Sequence, residues 1–188
     1  MTQRTATNRY QEHHGLPRES TAAKVRDHMH PWVQDFIRHA PFCVLSSADG
    51  EGNCDASPKG GRPGFVKVID DRHLILPDVK GNRLFQSYEN VDANPHVALL
   101  FMIPGLEHTA RVNGSAEVVD LGTLHERGLT LEVHDPDDNA ALQQGLLITV
   151  DEAYGQCPRA LRFGNVWDTE AIVANRAEPP IEAKPAGV

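Results

Sequence analysis

Hydroxyl, amide and cationic side chains that could hold a phosphate group are concentrated between residues 57 and 83. The set comprises Ser57, Lys59, Arg62, Lys67, Lys80, Asn82 and Arg83. A phosphate monoester carries roughly −1.5 to −2 charges and three acceptor oxygens, so several cations together with neutral donors bind it best. Asn82 and Arg83 stand where a helix should begin, and the free N–H groups of a helix N-terminus also favour an anion. The pattern indicates either an anion site or a capped helix beside surface cations.

Arg62 and Lys67 reach one ligand only if the chain bends between them. Residues five apart in a single strand point to opposite faces of the sheet. Gly64 lies between the two cations and could supply a kink or bulge, because glycine adopts backbone conformations that other residues avoid.

Alternating apolar residues and turn signals predict short strands around these side chains. The predicted segments are 42–47, 54–59, 65–69, 73–76, 97–103, 109–119 and 146–150. Pro58 cannot donate to a strand ladder, so its strand should end there or lie at a sheet edge, and Asn113-Gly114 predicts a bulge or bend. Short β-segments separated by turns, with helices at the periphery, favour a barrel over a parallel sheet.

Helical patterns and terminal composition define the rest of the chain. Helices are predicted at 22–28, from Pro31 to just before Pro41, and at 83–91, 121–131 and 157–163. The polar, non-periodic segment 1–17 predicts a flexible tail, and the Pro- and Ala-rich end of 169–188 predicts disorder. Residues 18–168 between them are predicted to form one domain.

Composition excludes several classes of protein. The 188 residues carry a formal charge of −8, which argues against a nucleic-acid partner. Neither a run of about 18 apolar residues nor an apolar leader is present, which argues against a membrane span and a secretory signal. Three cysteines without CxxC spacing fit a reducing cytoplasm. Ten histidines without an HExxH motif do not predict a metal site.

An ordered series of motifs resembles one superfamily over roughly residues 20–168. The motifs are DASPK at 55–59, GFVKVIDDRHLILPD at 64–78, GNR at 81–83, NPHVALLF at 94–101, ARVNGSAEVV at 110–119 and CPRALRFGNVWD at 157–168. Together they resemble the pyridoxamine 5'-phosphate oxidase-like group with an FMN-binding split barrel. The likeness is closer to an FMN-binding branch of that group than to the vitamin B6 oxidase itself.

The resemblance implies a homodimer of six-stranded antiparallel split barrels, with FMN in a cleft between the subunits. By position in the motifs, Arg62, Lys67, Asn82 and Arg83 would bind the flavin phosphate, and Ser87 could add a hydroxyl there. Ser57 and Lys59 would lie beside the isoalloxazine ring, with Pro77 and Asp78 along its edge. Arg111 matches a position near the ring, and Trp167 matches one that approaches the flavin from the other subunit.

The resemblance also implies an FMN-dependent oxidoreductase acting between flavin and a reduced nicotinamide or small organic substrate. Flavin itself carries the redox chemistry, so no catalytic side chain is assigned. The oxidase's C-terminal arginine and histidine signature is not recognisable here, and its substrate class therefore does not transfer. One alternative is a flavin carrier or redox sensor without turnover. Another is a barrel that binds a deazaflavin or haem, with His73, His96 and His108 as candidate axial ligands.

Overall fold

The structure, a computed structural model, describes residues 5–81, 83–130, 133–138 and 140–185. Within these ranges the helices are α1 (Arg9–His14), α2 (Glu19–Ala23), α3 (Pro31–His39), α4 (Gln86–Ala93), α5 (Leu121–Glu126), α6 (Arg159–Phe163) and α7 (Thr169–Ala177). The strands are β1 (Phe42–Ala48), β2 (Cys54–Gly60), β3 (Lys67–Val68), β4 (His73–Val79), β5 (His96–Met102), β6 (Thr109–Asp120) and β7 (Leu142–Gln156).

The described strands form one antiparallel sheet in the order β2-β1-β5-β6-β7-β4-β3. This confirms the mainly-β architecture with peripheral helices. The six strands that the resemblance implied are too few, because the described residues form seven. The strand predicted at 65–69 is shorter, since only Lys67 and Val68 pair with β4, as the edge strand β3. Pro58 lies in the opposite edge strand, β2, as predicted, and only one side of this strand is paired, with β1.

The two long strands β6 and β7 connect the two halves of the sheet. Their register shifts between Asn113 and Gly114, which confirms the predicted irregularity. A Cβ on Gly114 would stand 2.1 Å from the Thr149 carbonyl oxygen, so only glycine allows this close approach. Strand β7 begins at Leu142 rather than at 146, because pairing with β4 and β6 extends the strand through polar residues that break the apolar pattern.

The helix beginning at Pro31 is confirmed. The helices predicted at 22–28 and 121–131 are shorter than predicted. In α3, Val33, Phe36 and Ile37 are buried against the sheet. The helix predicted over 22–28 is wrong beyond α2, because the chain extends instead and Arg26 pairs with Ala153. The segment predicted at 121–131 is helical only over Leu121–Glu126.

The main core lies between α3 and the concave face of the sheet. Strand β1 alternates half-buried and buried positions, as a strand with one covered face does. Leu45, Phe101 and Ile148 are among its largest buried side chains. A smaller cluster of Ile75, Val119 and Leu124 packs beneath α5. The sheet therefore encloses one main apolar interior, and a second, smaller apolar cluster lies at α5.

Both terminal segments contain helical turns that their composition did not suggest. Helix α1 is capped by Asn8, whose side chain accepts hydrogen bonds from the N–H groups of Tyr10 and Gln11. Helix α7 is capped by Asp168, which accepts from the Ala171 N–H. None of the helices in the described ranges is long and apolar enough to cross a membrane.

Candidate cofactor cleft

A cleft of about 530 Å³ lies between β2, β4 and the N-terminus of α4. These strands come from opposite sides of the sheet order, so the cleft forms where the curled sheet leaves a gap. Several of the side chains that the sequence analysis assigned to a cofactor line it together: Ser57, Lys59, Pro77, Asp78, Arg83 and Ser87. Residues separated by up to thirty positions in the sequence thus converge on one cavity.

An ion pair spans the cleft from one strand to the other. The Lys59 Nζ atom of β2 lies 3.7 Å from the Asp78 Oδ1 atom of β4. Their side chains are 23% and 15% exposed, so the pair is largely removed from solvent. Ser57 is two residues before Lys59 and therefore points to the same face of β2. The strand offers the cleft a hydroxyl and an ammonium group side by side.

The N-terminus of α4 supplies free backbone donors to the same cleft. The first bonds of the helix run from the N–H groups of Tyr88 and Glu89 to the Phe85 carbonyl. The N–H groups of Gln86 and Ser87 precede them and have no intrahelical acceptor. The cap residue, Phe85, makes no side-chain capping bond. An uncapped helix start of this kind attracts a negatively charged group.

The loop before α4 holds two residues in left-handed backbone conformations. Arg83 has φ 63° and Phe85 has φ 51°. Residues other than glycine adopt this region at a cost of about 1–2 kcal/mol, and such strain clusters at functional sites. Both residues line the cleft. The strained loop brings the Arg83 backbone to the cleft beside the free N–H groups of α4.

Asn90 fixes α4 to the sheet. It is a buried residue whose Nδ2 group donates to Ser47 Oγ at 3.0 Å and to Asp55 Oδ2 at 2.8 Å. Ser47 belongs to β1 and Asp55 to β2, so one amide ties the helix to two strands. This arrangement sets the distance between the helix start and the Ser57–Lys59 side of the cleft.

Tyr88 and Gln143 are among the polar residues of the cleft that the sequence analysis did not assign to the site. Burial, reinforced by the neighbouring Asp78 carboxylate, raises the pKa of Tyr88 so that its phenol keeps its proton. Gln143 Nε2 donates to Asp78 Oδ2 at 3.4 Å. Tyr88 directly follows the assigned Ser87 within the helix predicted at 83–91, which was an available signal. Gln143 carried no signal, because the predicted strand began only at residue 146.

Arg62 and Lys67, two further predicted phosphate ligands, are not among the residues that line the cleft. The Arg62 Nε atom donates to the Val133 carbonyl at 3.1 Å, and Val133 itself lines the cleft. Lys67 is half-buried in β3 and is not part of the lining. Gly64 has φ 83°, so the expected bend between these two cations is present. Asn82 lies outside the described residues.

Arg111 and Trp167 lie away from this cleft. Arg111, on β6, pairs with Glu152 at 2.8 Å and stacks its guanidinium over the Tyr154 ring at 4.6 Å. Trp167 donates its Nε1–H to the Leu106 carbonyl at 2.9 Å. Within a single chain these two residues therefore do not join the other predicted ligands.

The three histidines considered as haem ligands do not line the cleft in the described part of the chain. The Nδ1 atom of His73 lies 2.9 Å from an Asp70 oxygen in the β3–β4 hairpin. His96 is exposed at the start of β5. His108 lies edge-on to Trp32 at 6.4 Å, in a different groove.

The family model for pyridoxamine 5'-phosphate oxidase matches residues 29–157. The chain belongs to this family. The match covers β1 to β7 and thus every strand around the cleft. No curated protein sequence gives a significant match.

Solved structures confirm the fold. A putative pyridoxamine 5'-phosphate oxidase from Lactobacillus delbrueckii is 20% identical, with a TM-score of 0.52 over 69% of this chain and 95% of that chain. A variant of HupZ from group A Streptococcus is 18% identical, with a TM-score of 0.51 over 68% of this chain and 99% of that chain. The sheet and its helices therefore form the split-barrel-like fold of the family.

Proposed function

We propose that this protein binds FMN in the cleft between β2, β4 and α4 and acts as an oxidoreductase. One observation carries the proposal. The cleft brings together Arg83, Ser87 and the N–H groups at the start of α4, which suit an anion, and a polar strand face with Ser57 and Lys59. Membership in the pyridoxamine 5'-phosphate oxidase family supports it.

The residues present suit the two ends of an FMN molecule. The guanidinium of Arg83 offers several donors in a fork that matches phosphate oxygens, and the Ser87 hydroxyl adds one more donor. The volume of about 530 Å³ lies within the usual range of cofactor pockets. Pro77 and Phe65 supply apolar surface on which a flat ring can rest. Bound FMN would supply the electron transfer itself.

The side chains of the cleft would tune and orient the cofactor rather than take part in covalent chemistry. Lys59 places a positive charge on the ring side, balanced by Asp78 at 3.7 Å. Tyr88 remains a neutral hydroxyl, because burial raises its pKa. These groups act through fixed electrostatics, which a low-polarity site strengthens. A reduced nicotinamide or a small organic molecule is the proposed partner in electron transfer.

We further propose a cytoplasmic homodimer with the cofactor at the subunit interface. The outward side chains of β1 and β5 include Val44, Leu100 and Met102, which are half-buried in the single chain and apolar. A second subunit covering this face would bury them further. Arg111 and Trp167 lie outside the cleft of their own chain, and the proposed dimer would let them approach the cofactor of the other subunit.

A titration with FMN and riboflavin tests the proposed site. Riboflavin lacks the phosphate, and each charge-assisted hydrogen bond contributes about 1.5–3 kcal/mol, so FMN should bind at least about tenfold tighter. Equal affinities would contradict the anion site at α4. Mixing the FMN-loaded protein with NADPH or NADH, followed by a chemical acceptor, then separates an enzyme from a carrier. Rapid reduction and reoxidation indicate turnover, whereas flavin that stays oxidised indicates a carrier or sensor.

A further inference from the structure

A second groove, of about 540 Å³, lies on another side of the molecule. It is formed by the chain before α3, by α3 itself and by the end of β7. Its lining includes Lys24, Arg26, His30, Trp32, His108 and Tyr154. Among the described residues it shares no lining residue with the candidate FMN cleft. It is therefore a separate cavity with its own chemistry.

The floor and one wall of this groove are aromatic. Trp32 is 43% exposed although it begins a helix that packs on the core. Its indole lies directly over Gly155, where a Cβ would approach the Trp32 Cζ3 atom to 2.7 Å. The glycine thus lets the indole rest on the β7 backbone, while the Phe36 ring packs against it at a centroid distance of 5.2 Å and the remaining part of the indole is exposed. His108 meets the Trp32 ring edge-on at a centroid distance of 6.4 Å.

Positive charge lies beside this aromatic surface. The Lys24 Nζ atom is 2.9 Å from the Gly155 carbonyl oxygen and 5.0 Å from the centre of the Tyr154 ring. The backbone of Arg26 is held by Ala153, through hydrogen bonds of 3.4 and 2.8 Å. Its guanidinium has no ion pair or hydrogen bond within the described ranges. The backbone of Arg26 is thus fixed, while its charged group remains available.

The charge of the groove differs from that of the chain. The whole protein carries a formal charge of −8, yet the described lining contains Lys24 and Arg26 without an aspartate or glutamate. A pocket of one charge sign raises the local concentration of oppositely charged ligands. Flat aromatic surface next to two cations is suited to a flat molecule that carries a negative charge at its edge.

We propose that this groove binds a planar aromatic carboxylate. The ring of the ligand packs on the exposed part of the Trp32 indole, and its carboxylate receives hydrogen bonds from Arg26 and from the remaining donors of Lys24. Aromatic stacking contributes about as much as one neutral hydrogen bond, and a charge-assisted bond to an arginine contributes about twice that amount. The carboxylate therefore dominates recognition, and a neutral isostere should bind poorly. The proposal does not rest on the proposed flavin function.

Indole resonances in a 15N-labelled sample provide a direct readout. The sequence has two tryptophans, Trp32 in the groove and Trp167, whose Nε1–H is bonded to Leu106. The Trp32→Phe variant assigns the two indole signals. Titration with 2-naphthoate should shift the Trp32 signal and leave the Trp167 signal in place. The neutral 2-naphthamide should bind at least about tenfold more weakly, and excess FMN should not displace 2-naphthoate.

Matched variants test the role of the cation. Arg26→Gln should weaken 2-naphthoate binding by about tenfold or more, while the folded state is checked by its thermal midpoint. Arg176→Gln, an exposed cation in α7, should leave binding unchanged. The proposal is overturned if Trp32 does not shift, if the acid and the amide bind equally, if Arg26→Gln binds like the parent protein, or if FMN displaces 2-naphthoate.

Discussion

Lys59 and Asp78 approach to 3.7 Å although their strands are far apart in the sheet order. Lys59 belongs to the edge strand β2, and Asp78 belongs to β4, which lies beside the opposite edge. The two strands are not neighbours in the hydrogen-bond ladder, so the ion pair crosses the opening of the curled sheet. Because the pair lines the candidate cleft, it links the closure of the barrel to the electrostatics of the proposed cofactor site.

Neutralising Lys59 and neutralising Asp78 should shift the reduction potential of bound FMN in opposite directions. Lys59→Gln leaves the Asp78 carboxylate uncompensated, which disfavours electron uptake and lowers the potential. Asp78→Asn leaves the Lys59 ammonium uncompensated and raises it. Shifts of roughly 30 mV each, equivalent to about 1.4 kcal/mol for two electrons, are expected in a dye-coupled redox titration. Lys80→Gln, a cation outside the lining, serves as control. Shifts of the same sign in both variants would contradict this assignment.

Arg83→Gly should separate the binding role of Arg83 from its strained backbone. Glycine adopts the observed φ of 63° without a steric penalty, so the FMN-free protein should unfold at the same or a higher temperature. Loss of the guanidinium should weaken FMN binding by about tenfold or more. Fluorescence titration measures the affinity, and Arg176→Gln should bind FMN like the parent protein. A variant with unchanged FMN affinity would exclude Arg83 from the anion site.

The ion pair between Asp27 and Arg72 predicts a loss of stability in acid. Hydrogen bonding to Arg72, and then to His28, lowers the pKa of Asp27 from 3.8 to about 2. A carboxyl group with a lowered pKa in the folded state stabilises the protein above its unfolded pKa. This contribution is therefore complete above about pH 4 and disappears as the pH falls towards 2.

Thermal melting of Asp27→Asn between pH 2 and 6 measures this contribution. The variant should melt below the parent protein at pH 6, and the difference should shrink between pH 4 and 2. Glu182→Gln, in the exposed C-terminal segment, should show no such trend. A difference that stays constant across this range would show that the interaction does not depend on the Asp27 charge.

Gly114→Ala should destabilise the protein, because its Cβ would stand 2.1 Å from the Thr149 carbonyl oxygen. Backbone atoms cannot move aside like a flexible side chain, so we expect a loss of about 1–3 kcal/mol or more in the free energy of unfolding. Gly122→Ala, in helix α5, is the matched control and should stabilise the protein by up to about 1 kcal/mol. Urea unfolding measures both. Equal stability of Gly114→Ala and the parent protein would disprove the close approach between β6 and β7.

Local patterns predicted the elements whose residues follow one periodicity. Strand β1, the helix from Pro31 and the irregularity at Asn113-Gly114 were all predicted, since alternation, a proline at a helix start and an Asn-Gly pair act over a few residues. The early start of β7 was not predicted, because Leu142 and Gln144 become strand residues only through pairing, Leu142 with β4 and Gln144 with both β4 and β6. Long-range pairing overrides local preference there.

The candidate site was predicted as a set of residues but not as a shape. Ser57, Lys59 and Arg83 were assigned through motifs, and the curl of the sheet brings them into one cleft. Tyr88 and Gln143 were missed, because their place in the cleft depends on contacts that cross the sheet opening. Arg111 and Trp167 lie elsewhere in the single chain, so their predicted roles depend on the proposed dimer.

The absorption spectrum after incubation with FMN and removal of unbound ligand tests the central claim most directly. If FMN binds in the cleft, the protein should retain the two absorption bands of flavin, with one FMN per chain. The Arg83→Gly variant should lose most of this absorbance. A protein that retains no flavin after incubation, or that instead shows a haem Soret band as purified, would contradict the proposed FMN site.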